Sequence, residues 1–294
     1  MLKIALPAGK SLEQRTCDLF GDALISIDRA DSAHSVSFPN YPMLSEGRFV
    51  KPRRAPLLVA SGDFDIGITG KDAVLESRAR VEICAELPYS RYTSDNTRGV
   101  LFAHVDDPVN HAAEIPPGSR ILSEYPKLTR AFFAELGIRV KIVDSPGSAE
   151  AEIPFKYRFG LALSETGRSL RENGLKTIAT VFESCTVLVA NKQALRNKKK
   201  AEAIHAFTLI LRGVLEARDR VLLSMNVPNG AMEKVLKMLP ALHSPTIAEL
   251  AGGQFHSVST VVPKNEVNTL IPALLKMGAE GILITPVSSV IQSW

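Results

Sequence analysis

The stretch Leu163-Ser-Glu-Thr-Gly-Arg-Ser-Leu-Arg-Glu-Asn-Gly174 joins an apolar run to a short helical pattern through a turn rich in hydroxyl groups. Residues 158–163 are mostly apolar and short enough for a buried strand. The spacing Ser169-x-x-Glu172 is typical of a capping box that begins a helix, and Asn173-Gly174 is typical of a helix end. The sequence therefore predicts a strand, a tight turn and a helix in succession, which is the repeating unit of an α/β fold.

The turn in this stretch has the composition of an anion-binding loop. Gly167, just before the predicted helix, allows the backbone to approach a ligand closely. The hydroxyls of Thr166 and Ser169 and the unpaired N–H groups of the first helical turn would point at the same place, and oxygen anions bind such a place. A capped helix without a ligand is the alternative, because short motifs often match by chance. We name as the cradle the residues Glu165, Thr166, Gly167, Arg168, Ser169 and Leu170.

Composition restricts the class of protein. The chain has 294 residues, of which 45% are hydrophobic and 22% charged, as in a globular protein of roughly two to three domains. Lys and Arg total 35 against 31 Asp and Glu, which gives a net charge of +4. This charge is too small for a nucleic-acid coat but allows local basic pockets for an anionic metabolite. The basic run 198–200 is interpreted as the solvated start of a helix, so we expect no nucleic-acid partner.

Cysteine usage and hydropathy predict a cytoplasmic protein. Cys17, Cys84 and Cys185 are far apart and lack the spacing of metal ligands or of a small disulfide framework. The apolar stretch at the N-terminus is too short for an export signal, and the sequence has no run of about 18 apolar residues. We therefore expect a protein of the reducing cytoplasm that does not cross a membrane.

Two further strand-turn-helix units precede the cradle. Residues 3–7 predict a buried strand that leads through Gly9 and Lys10 to a helix capped by Ser11. Lys10 could supply a charge to a phosphate, although an exposed loop lysine is the alternative. Residues 65–70 predict a strand, and Gly70 permits close backbone approach where the next helix begins. Parallel α/β sheets place ligands at the carboxyl ends of their strands, so the turns form the ligand side. Residues 28–52 show little periodicity.

The middle of the chain predicts a second lobe. Strands are predicted at 99–105, 120–123 and 139–143, a helix at 127–136, and a crossover between the lobes in the polar segment 92–98. Glu124, Glu150 and the cradle each follow a short strand of this lobe. Their coincidence favours the cradle as a binding site.

The C-terminal part changes pattern. After a long helix from 198 to about 220, the order strand-helix-strand-strand-helix-strand predicts a ferredoxin-like unit. It has no constellation of catalytic groups, which favours a sensor or assembly module. We predict lobe I at 1–95 and 185–221, lobe II at 96–184, and the ferredoxin-like domain at 222–294.

Taken together, five ordered motifs resemble the ATP phosphoribosyltransferase family, and the resemblance runs nearly end to end. They are Ile4-Ala-Leu-Pro-x-Gly-Lys10, Asp65-Ile-Gly-Ile-Thr-Gly70, Ser123-Glu-Tyr-Pro-Lys-Leu-Thr-Arg130, Gly147-Ser-Ala-Glu150 and Glu165-Thr-Gly-Arg-Ser-Leu-Arg-Glu-Asn-Gly-Leu175. The segments that begin at Pro245 and Leu274 resemble the additional domain of the long form of that family.

The resemblance implies a fold and a reaction. The fold is α/β, with a two-lobed body similar to periplasmic binding proteins and a C-terminal ferredoxin-like regulatory domain. The reaction condenses ATP with phosphoribosyl pyrophosphate at N1 of adenine and releases pyrophosphate, with Mg²⁺ on the phosphates. Histidine would bind the regulatory domain and inhibit the enzyme, and the chain would form a homo-oligomer, from dimer to hexamer.

The resemblance also implies site residues. The cradle would hold the 5′-phosphate of phosphoribosyl pyrophosphate, and the catalytic groups would be Lys10, Arg98 and Glu150. The nucleotide would bind at Gly9, Lys10, Gly70, Glu124 and Tyr125, and histidine at Pro245, Thr246 and Ile247. The ligands of the metal stay unassigned. The charges suit the chemistry, because pyrophosphate departure leaves positive charge on the ribose and negative charge on the leaving group.

Three positions depart from the family pattern. Ala8 stands where the family usually has Lys, and Thr97-Arg98 where it has Cys-Arg. Ala162 stands where the family has an Asp near the ribose hydroxyls, so turnover is expected to be lower. One alternative is therefore a catalytically weakened paralogue that acts as a ligand-binding or regulatory subunit. Another is a two-lobed solute-binding protein, which the missing export signal and the extra domain oppose.

Overall fold

The computed structural model describes residues 1–29, 34–89, 97–240 and 244–291, and leaves out the side chains of Lys10 and Ser11. It divides into two compact units, Met1–Gly21 with Ile25–Thr208, and Asp22–Leu24 with Leu209–Trp294. Most of the predicted crossover at 92–98 lies outside the described residues. The predicted domain limits at 95, 184 and 221 stay predictions. Along the described ranges, no helix has both the length and the apolar character needed to cross a bilayer.

Strands and helices alternate along much of the chain. The strands are β1 (Leu2–Pro7), β2 (Asp28–Arg29), β3 (Ser35–Ser37), β4 (Leu44–Val50), β5 (Ile66–Gly70), β6 (Val81–Leu87), β7 (Thr97–His104), β8 (Arg120–Ser123), β9 (Lys141–Asp144), β10 (Phe159–Ser164), β11 (Leu175–Ser184), β12 (Thr186–Asn191), β13 (Arg220–Pro228), β14 (Thr246–Glu249), β15 (Phe255–Pro263) and β16 (Glu280–Pro286). The α-helices are α1 (Lys10–Asp22), α2 (Ala55–Ser61), α3 (Lys71–Ser77), α4 (Pro126–Glu135), α5 (Arg168–Glu172), α6 (Lys192–Arg196), α7 (Lys198–Ala217), α8 (Met232–Met238) and α9 (Lys264–Lys276). Short 3₁₀ helices lie at Ala112–Glu114, Ala149–Glu152 and Asn229–Ala231.

The first lobe is built on a seven-stranded sheet in the order β2-β3-β4-β1-β5-β12-β6. Its centre is parallel, since β1 pairs in parallel with β4 and β5, and this confirms the predicted α/β class. Strands β2 to β4 occupy the segment in which the sequence shows little periodicity. Strand β4 has only a few apolar residues, and its pairing with β1 over the whole length fixes it instead.

The second lobe is built on a five-stranded sheet in the order β11-β7-β10-β8-β9. Strand β8 pairs in parallel with β9 and β10, whereas β7 runs antiparallel to β10 and β11. One face of this sheet is covered by a core that includes Leu101, Phe133, Phe159 and Leu161, each nearly or fully buried. Strand β11 ends in this sheet and β12 begins in the other, so the chain returns to the first lobe at residues 184–186.

The start of α5 differs from the predicted capping box. Gly167, in the left-handed region at φ +68°, precedes the helix, and no side chain caps it. The side chains of the expected box have other partners. Glu172 accepts from Arg168 Nε at 2.6 Å, and Ser169 Oγ donates to Glu150 at 3.3 Å. The helix is present as predicted, but the capping box of Ser169 and Glu172 is wrong.

The third sheet has four antiparallel strands in the order β14-β15-β13-β16, with α8 and α9 as its helices. This arrangement confirms the predicted ferredoxin-like unit. Every second residue of β13 is buried, and its core includes Val221, Leu223, Met225 and Val227. Strict alternation of this kind follows from the two-residue period of a strand with one covered face.

Candidate functional site

The polar turns predicted for the second lobe lie at one edge of its sheet. Because β8, β9 and β10 are parallel, their carboxyl ends meet at the same edge. Glu124 directly follows β8, and its backbone N–H donates to Leu161 O of β10 at 3.1 Å. Glu150 lies in the 3₁₀ helix that follows β9, and the cradle follows β10. The expectation that all three follow strands of one lobe is confirmed.

The cradle is held by groups that the sequence did not single out. Ser164 Oγ accepts from the Gly167 N–H at 3.1 Å, and Arg171 Nη1 donates to Thr166 O at 3.0 Å. A Cβ at Gly167 would lie 2.9 Å from Arg171 Nη1, so this glycine leaves space for the guanidinium as well as allowing the turn. The side chains of Thr166 and Ser169 are exposed. These bonds hold the turn in shape, while the side chains of Thr166 and Ser169 stay accessible from the surface.

Arg98 lies beside the cradle. It is the second residue of β7, where it pairs with Ser164 of β10 on one side and with Glu183 of β11 on the other. Paired residues of antiparallel strands project to the same face of the sheet. The exposed Arg98 side chain is therefore on the face that also carries Ser164, the residue that holds the cradle.

Two carboxylates interact next to the cradle. Burial raises the pKa of Glu124, and the charge of Glu150 raises it further, whereas Arg53 and backbone N–H groups of residues 148 and 149 lower it; the net pKa is raised. Glu150 in turn accepts a hydrogen bond from the hydroxyl of Ser169 at 3.3 Å. Glu124 and Glu150 therefore form a half-buried acidic pair that is connected to the cradle.

On the first lobe, the predicted site residues lie at the carboxyl ends of strands of its sheet, among them β1 and β5. Gly9 follows β1 at φ +124°, and its N–H donates to Glu13 Oε2 at 3.1 Å. Glu13 also pairs with Arg29 at 2.5 Å. The amide of Gly9, a residue that the resemblance assigns to nucleotide binding, thus donates to a carboxylate of the helix that follows it. Lys10 follows at the first position of α1, and its side chain is outside the described residues.

Arg53 and Asp72 of the first lobe reach the second. Arg53 Nη2 donates to Glu124 Oε2 at 3.2 Å, and its guanidinium lies 4.8 Å from the ring centre of Tyr125. The Tyr125 hydroxyl donates to Asp72 Oδ2 at 2.8 Å. Gly70, at the end of β5, immediately precedes the helix that carries Asp72. The predicted nucleotide residues Gly70, Glu124 and Tyr125 are therefore brought together.

Sequence reasoning missed Arg53 and Asp72 for different reasons. Arg53 follows β4, which the pattern did not reveal. Asp72 lies in a segment for which the sequence predicts only the start of a helix. Its position two residues after a strand-ending glycine is the signal that could have found it.

Ala162 lies beneath the cradle. It pairs with Val100 of β7, is 3% exposed, and belongs to an apolar cluster that also contains Ala149 and Leu170. Leu170 comes from the cradle and Ala149 precedes Glu150, so this cluster lies below both groups. The resemblance to the family predicts a carboxylate at this position, where the chain has a methyl group.

The residues predicted to bind histidine lie at an edge of the third sheet. Thr246 and Ile247 begin the edge strand β14, opposite Ser259 and Val258 of β15, and Pro245 precedes them. Ile247 is 45% exposed. Within the part of the chain that the structure describes, no group of three or more His, Cys, Asp or Glu residues could hold a metal ion.

Comparisons with known proteins agree with this architecture. The family model described as ATP phosphoribosyltransferase matches residues 51–213, and the model of that family's C-terminal domain matches residues 217–289. The ATP phosphoribosyltransferase of Chlorobium phaeovibrioides is 34% identical over 282 residues, which cover 96% of this chain and 95% of that protein. The enzyme of Thermodesulfovibrio yellowstonii is 32% identical over 295 residues, with 99% and 98% covered.

A solved structure supports the same assignment. The ATP phosphoribosyl transferase (HisG:HisZ) complex from Thermotoga maritima superimposes with a TM-score of 0.62 at 25% identity, and the match covers 74% of this chain and 99% of that chain. The match to the family model extends over more than half of the sequence, and the separate C-terminal match adds that family's C-terminal domain. The chain belongs to the ATP phosphoribosyltransferase family, in the long form that has the additional C-terminal domain.

Proposed function

We propose that this protein condenses ATP with phosphoribosyl pyrophosphate to give N1-phosphoribosyl-ATP and pyrophosphate. The observation that carries the proposal is the convergence of the cradle, Glu150 and Glu124 at one sheet edge. Arg53 of the first lobe contacts this edge directly. An anion-binding turn, an acidic pair and cations within one site suit a displacement between two phosphorylated substrates.

The cradle would bind the 5′-phosphate of phosphoribosyl pyrophosphate. The exposed Thr166 hydroxyl can donate to a phosphate oxygen, and the Ser169 hydroxyl can do so in exchange for its bond to Glu150. Hydrogen bonds to charged groups are the stronger ones. The bonds from Ser164 and Arg171 keep the turn in shape before the ligand arrives. A preformed turn lowers the entropy that binding has to offset.

The remaining groups would act on the charges that develop in the reaction. Arg98 and Lys10 are the cations assigned to the diphosphate and triphosphate, and Arg98 is exposed beside the cradle. Glu150 is the carboxylate that would oppose positive charge on the ribose, since it is linked to the cradle through Ser169. Charge stabilisation by preorganised groups is enough for such a displacement, so no covalent nucleophile is needed.

The acidic pair fits Mg²⁺. This ion typically binds through one or two carboxylates and takes its other ligands from substrate phosphates and water. Glu124 and Glu150 provide such a donor set. Burial and the neighbouring charge of Glu150 raise the pKa of Glu124, and a bound cation would offset both effects. When bound, Mg²⁺ would neutralise charge on the diphosphate.

The test is pyrophosphate release from ATP and phosphoribosyl pyrophosphate by the full chain, with and without Mg²⁺. We expect release that requires both substrates and the metal. Tight binding of phosphoribosyl pyrophosphate without release would favour the catalytically weakened paralogue, for which Ala162 is the supporting observation. Glu150→Gln should raise the Mg²⁺ concentration needed for half-maximal rate.

Histidine would inhibit the enzyme through the third sheet. Support comes from the match to the family's C-terminal domain and from the exposed edge at Thr246 and Ile247. Titration calorimetry should detect histidine binding to the full chain, and Thr246→Ala should weaken it without changing the uninhibited rate. Because coupling between sites is reciprocal, histidine and substrate should change each other's affinity by the same factor. Absence of histidine binding by the wild type would refute this assignment.

The chain would act as a cytoplasmic homo-oligomer, from dimer to hexamer. Cys17, Cys84 and Cys185 are all free, as expected for a reducing compartment. The edge strands of the third sheet expose Ile247, Leu283 and Ile284, and exposed apolar edges favour association. Light scattering on the purified chain would measure the assembly, and a monomer at micromolar concentration would contradict it.

A further inference from the structure

We propose that Asp72 is a positioning residue for the transfer reaction, one that holds Tyr125 and the adjoining Glu124 in the geometry used to bind the nucleotide. The inference rests on the proposed function. Asp72 is in the first lobe, whereas Glu124 and Tyr125 are in the second. Its role would therefore be to set one lobe against the other at the site.

Both oxygens of the Asp72 carboxylate accept hydrogen bonds from side-chain hydroxyls. Ser184 Oγ donates to Oδ1 at 2.6 Å, and the Tyr125 hydroxyl donates to Oδ2 at 2.8 Å. The Asp72 N–H also donates to Ser184 Oγ at 2.9 Å. Asp72 is only 7% exposed, so these bonds form away from water. A buried carboxylate with two donors is fixed in direction, since losing either donor leaves a charged acceptor unsatisfied.

The two donors come from the places that determine how the lobes meet. Ser184 is the last residue of β11, immediately before the chain returns to the first lobe in β12. Its carbonyl accepts from the hydroxyl of Thr97, the first residue of β7. Tyr125 directly precedes α4 of the second lobe. The carboxylate thus joins the start of α3, the end of β11 and the start of α4.

Gly70 is fitted to this carboxylate. A Cβ built at Gly70 would lie 2.1 Å from Asp72 Oδ1 and 3.1 Å from its Cγ. The φ of Gly70 is −79°, which any residue can adopt, so the glycine is explained by space and not by backbone conformation. The end of β5 is therefore shaped so that the Asp72 carboxylate can fold back over it.

Tyr125 passes this constraint to the site. Its side chain is 3% exposed and lies between the Arg53 guanidinium at 4.8 Å and the Phe182 ring at 5.1 Å between ring centres. Burial and the neighbouring Asp72 raise its pKa, so the phenol stays protonated and keeps donating. Arg53 also donates to Glu124, the next residue towards the N-terminus. A shift of Tyr125 would therefore move Glu124 and weaken its contact with Arg53.

Glu76 offers a matched control on the same helix. Its carboxylate also crosses between the lobes, where it accepts from the backbone N–H groups of Lys127 at 2.9 Å and Leu128 at 3.0 Å. Within the described part of the chain, its hydrogen bonds go to Lys127 and Leu128 and not to Tyr125, and a glutamine oxygen can still accept one of them. A change at Glu76 therefore tests the effect of weakening a contact between the lobes without releasing Tyr125.

The experiment compares Asp72→Asn, Tyr125→Phe and the double variant in the full chain, with phosphoribosyl pyrophosphate saturating. We expect each single change to raise KM for ATP by about tenfold and to lower kcat less, because nucleotide positioning is lost. The double variant should be no worse than the worse single variant, since both remove the same bond. Glu76→Gln should change KM for ATP by less than about twofold even where its melting temperature falls.

Two results would overturn the inference. One is an unchanged KM for ATP in the folded Tyr125→Phe variant, and the other is a double variant whose effects multiply. If Asp72→Asn does not fold, Tyr125→Phe and Ser184→Ala carry the test, because each removes one donor to the same carboxylate. Calorimetry of ATP binding separates this inference from the proposed function. If the wild type binds ATP but does not turn over, the proposed function fails, and the ATP affinities of wild type and variants still show whether Asp72 affects nucleotide binding.

Discussion

The cradle and the contacts between α3 and α4 are two parts of one proposed site, and they use polar side chains in opposite ways. In the cradle, Thr166 and Ser169 are exposed on a turn that other groups hold. Between α3 and α4, Asp72 and Tyr125 are buried and bonded to each other. Hydroxyls at the surface can exchange their partners for a ligand, as Ser169 can exchange its bond to Glu150, whereas the buried groups satisfy each other and determine geometry. The two parts should therefore respond differently to substitution.

Gly70→Ala should have the largest effect, because it displaces the buried part. The new Cβ would lie 2.1 Å from Asp72 Oδ1, so the carboxylate would have to move away from Tyr125. Overpacking of this kind costs about 1–3 kcal/mol of stability, and kcat/KM for ATP should fall by about a hundredfold. Gly21→Ala is the control, since a Cβ there meets nothing within 4 Å. Equal activity of the two variants would show that Asp72 tolerates displacement.

Thr166→Val should change affinity without changing the fold. It removes one hydroxyl donor to a charged group, worth about 1.5–3 kcal/mol, so affinity for phosphoribosyl pyrophosphate should fall by about tenfold or more. The thermal midpoint should stay the same, because the Thr166 side chain is exposed. Thr177→Val, on the exposed side of β11, is the matched control and should leave affinity unchanged. Full affinity in Thr166→Val would remove the cradle from the site.

Ala162→Asp tests whether the missing family carboxylate limits turnover. The new group would lie below the cradle, where it could oppose charge on the ribose, and kcat/KM should rise by about tenfold. The melting temperature should fall, because the surrounding cluster is apolar and a buried carboxylate without partners is costly.

Ala162→Asn controls for size in this test. It introduces a polar group of the same shape without charge, so it should lower the melting temperature without a gain in rate. A wild type with normal turnover, and no gain in Ala162→Asp, would show that other groups hold the ribose.

The smallest expected effect is on the pH dependence of folding stability. Burial raises the folded-state pKa of Glu124, so its contribution to stability is fully present below its unfolded pKa and is lost as pH rises through the folded value. The stability of wild type relative to Glu124→Gln should therefore fall with rising pH. Chemical denaturation across the acid range measures this slope.

Asp107 supplies the opposite case in the same lobe. Its bidentate pair with Arg158, at 2.6 and 3.0 Å, lowers its pKa. Its contribution is present above the unfolded pKa and is lost as pH falls through the folded value. The stability advantage of wild type over Asp107→Asn should therefore shrink as pH falls. If the stability difference between wild type and variant changed with pH in the same direction for Glu124→Gln and Asp107→Asn, the environments assigned to the two carboxylates would be wrong.

The sequence predicted best what depends on nearby residues. Apolar runs located β1, β8 and β10, and the order of strands and helices after residue 221 located β13 and the other elements of the third sheet. The turns after β8, β9 and β10 could also be assigned to one edge, because parallel strands have their carboxyl ends together. The cradle was therefore predictable as a place, although its supports at Ser164 and Arg171 were not.

The missed features depend on residues far apart in the chain. Strand β4 is fixed by its pairing with β1, and Arg53 is placed only because that strand exists. Asp72 contacts Tyr125 and Ser184, 53 and 112 positions away. No local pattern encodes such contacts. The wrong capping box has the same origin, since Ser169 bonds to Glu150, 19 positions away.

The contact of Glu76 with α4 has a consequence for measurement. The first N–H groups of a helix have no partner within the helix, and in this protein those of Lys127 and Leu128 are satisfied by a side chain of the other lobe. Their amide protons are therefore shielded only while the lobes stay together. The rate of hydrogen–deuterium exchange at these two amides therefore reports how often the lobes separate, without any attached label. Substrates that hold the lobes together should lower this rate.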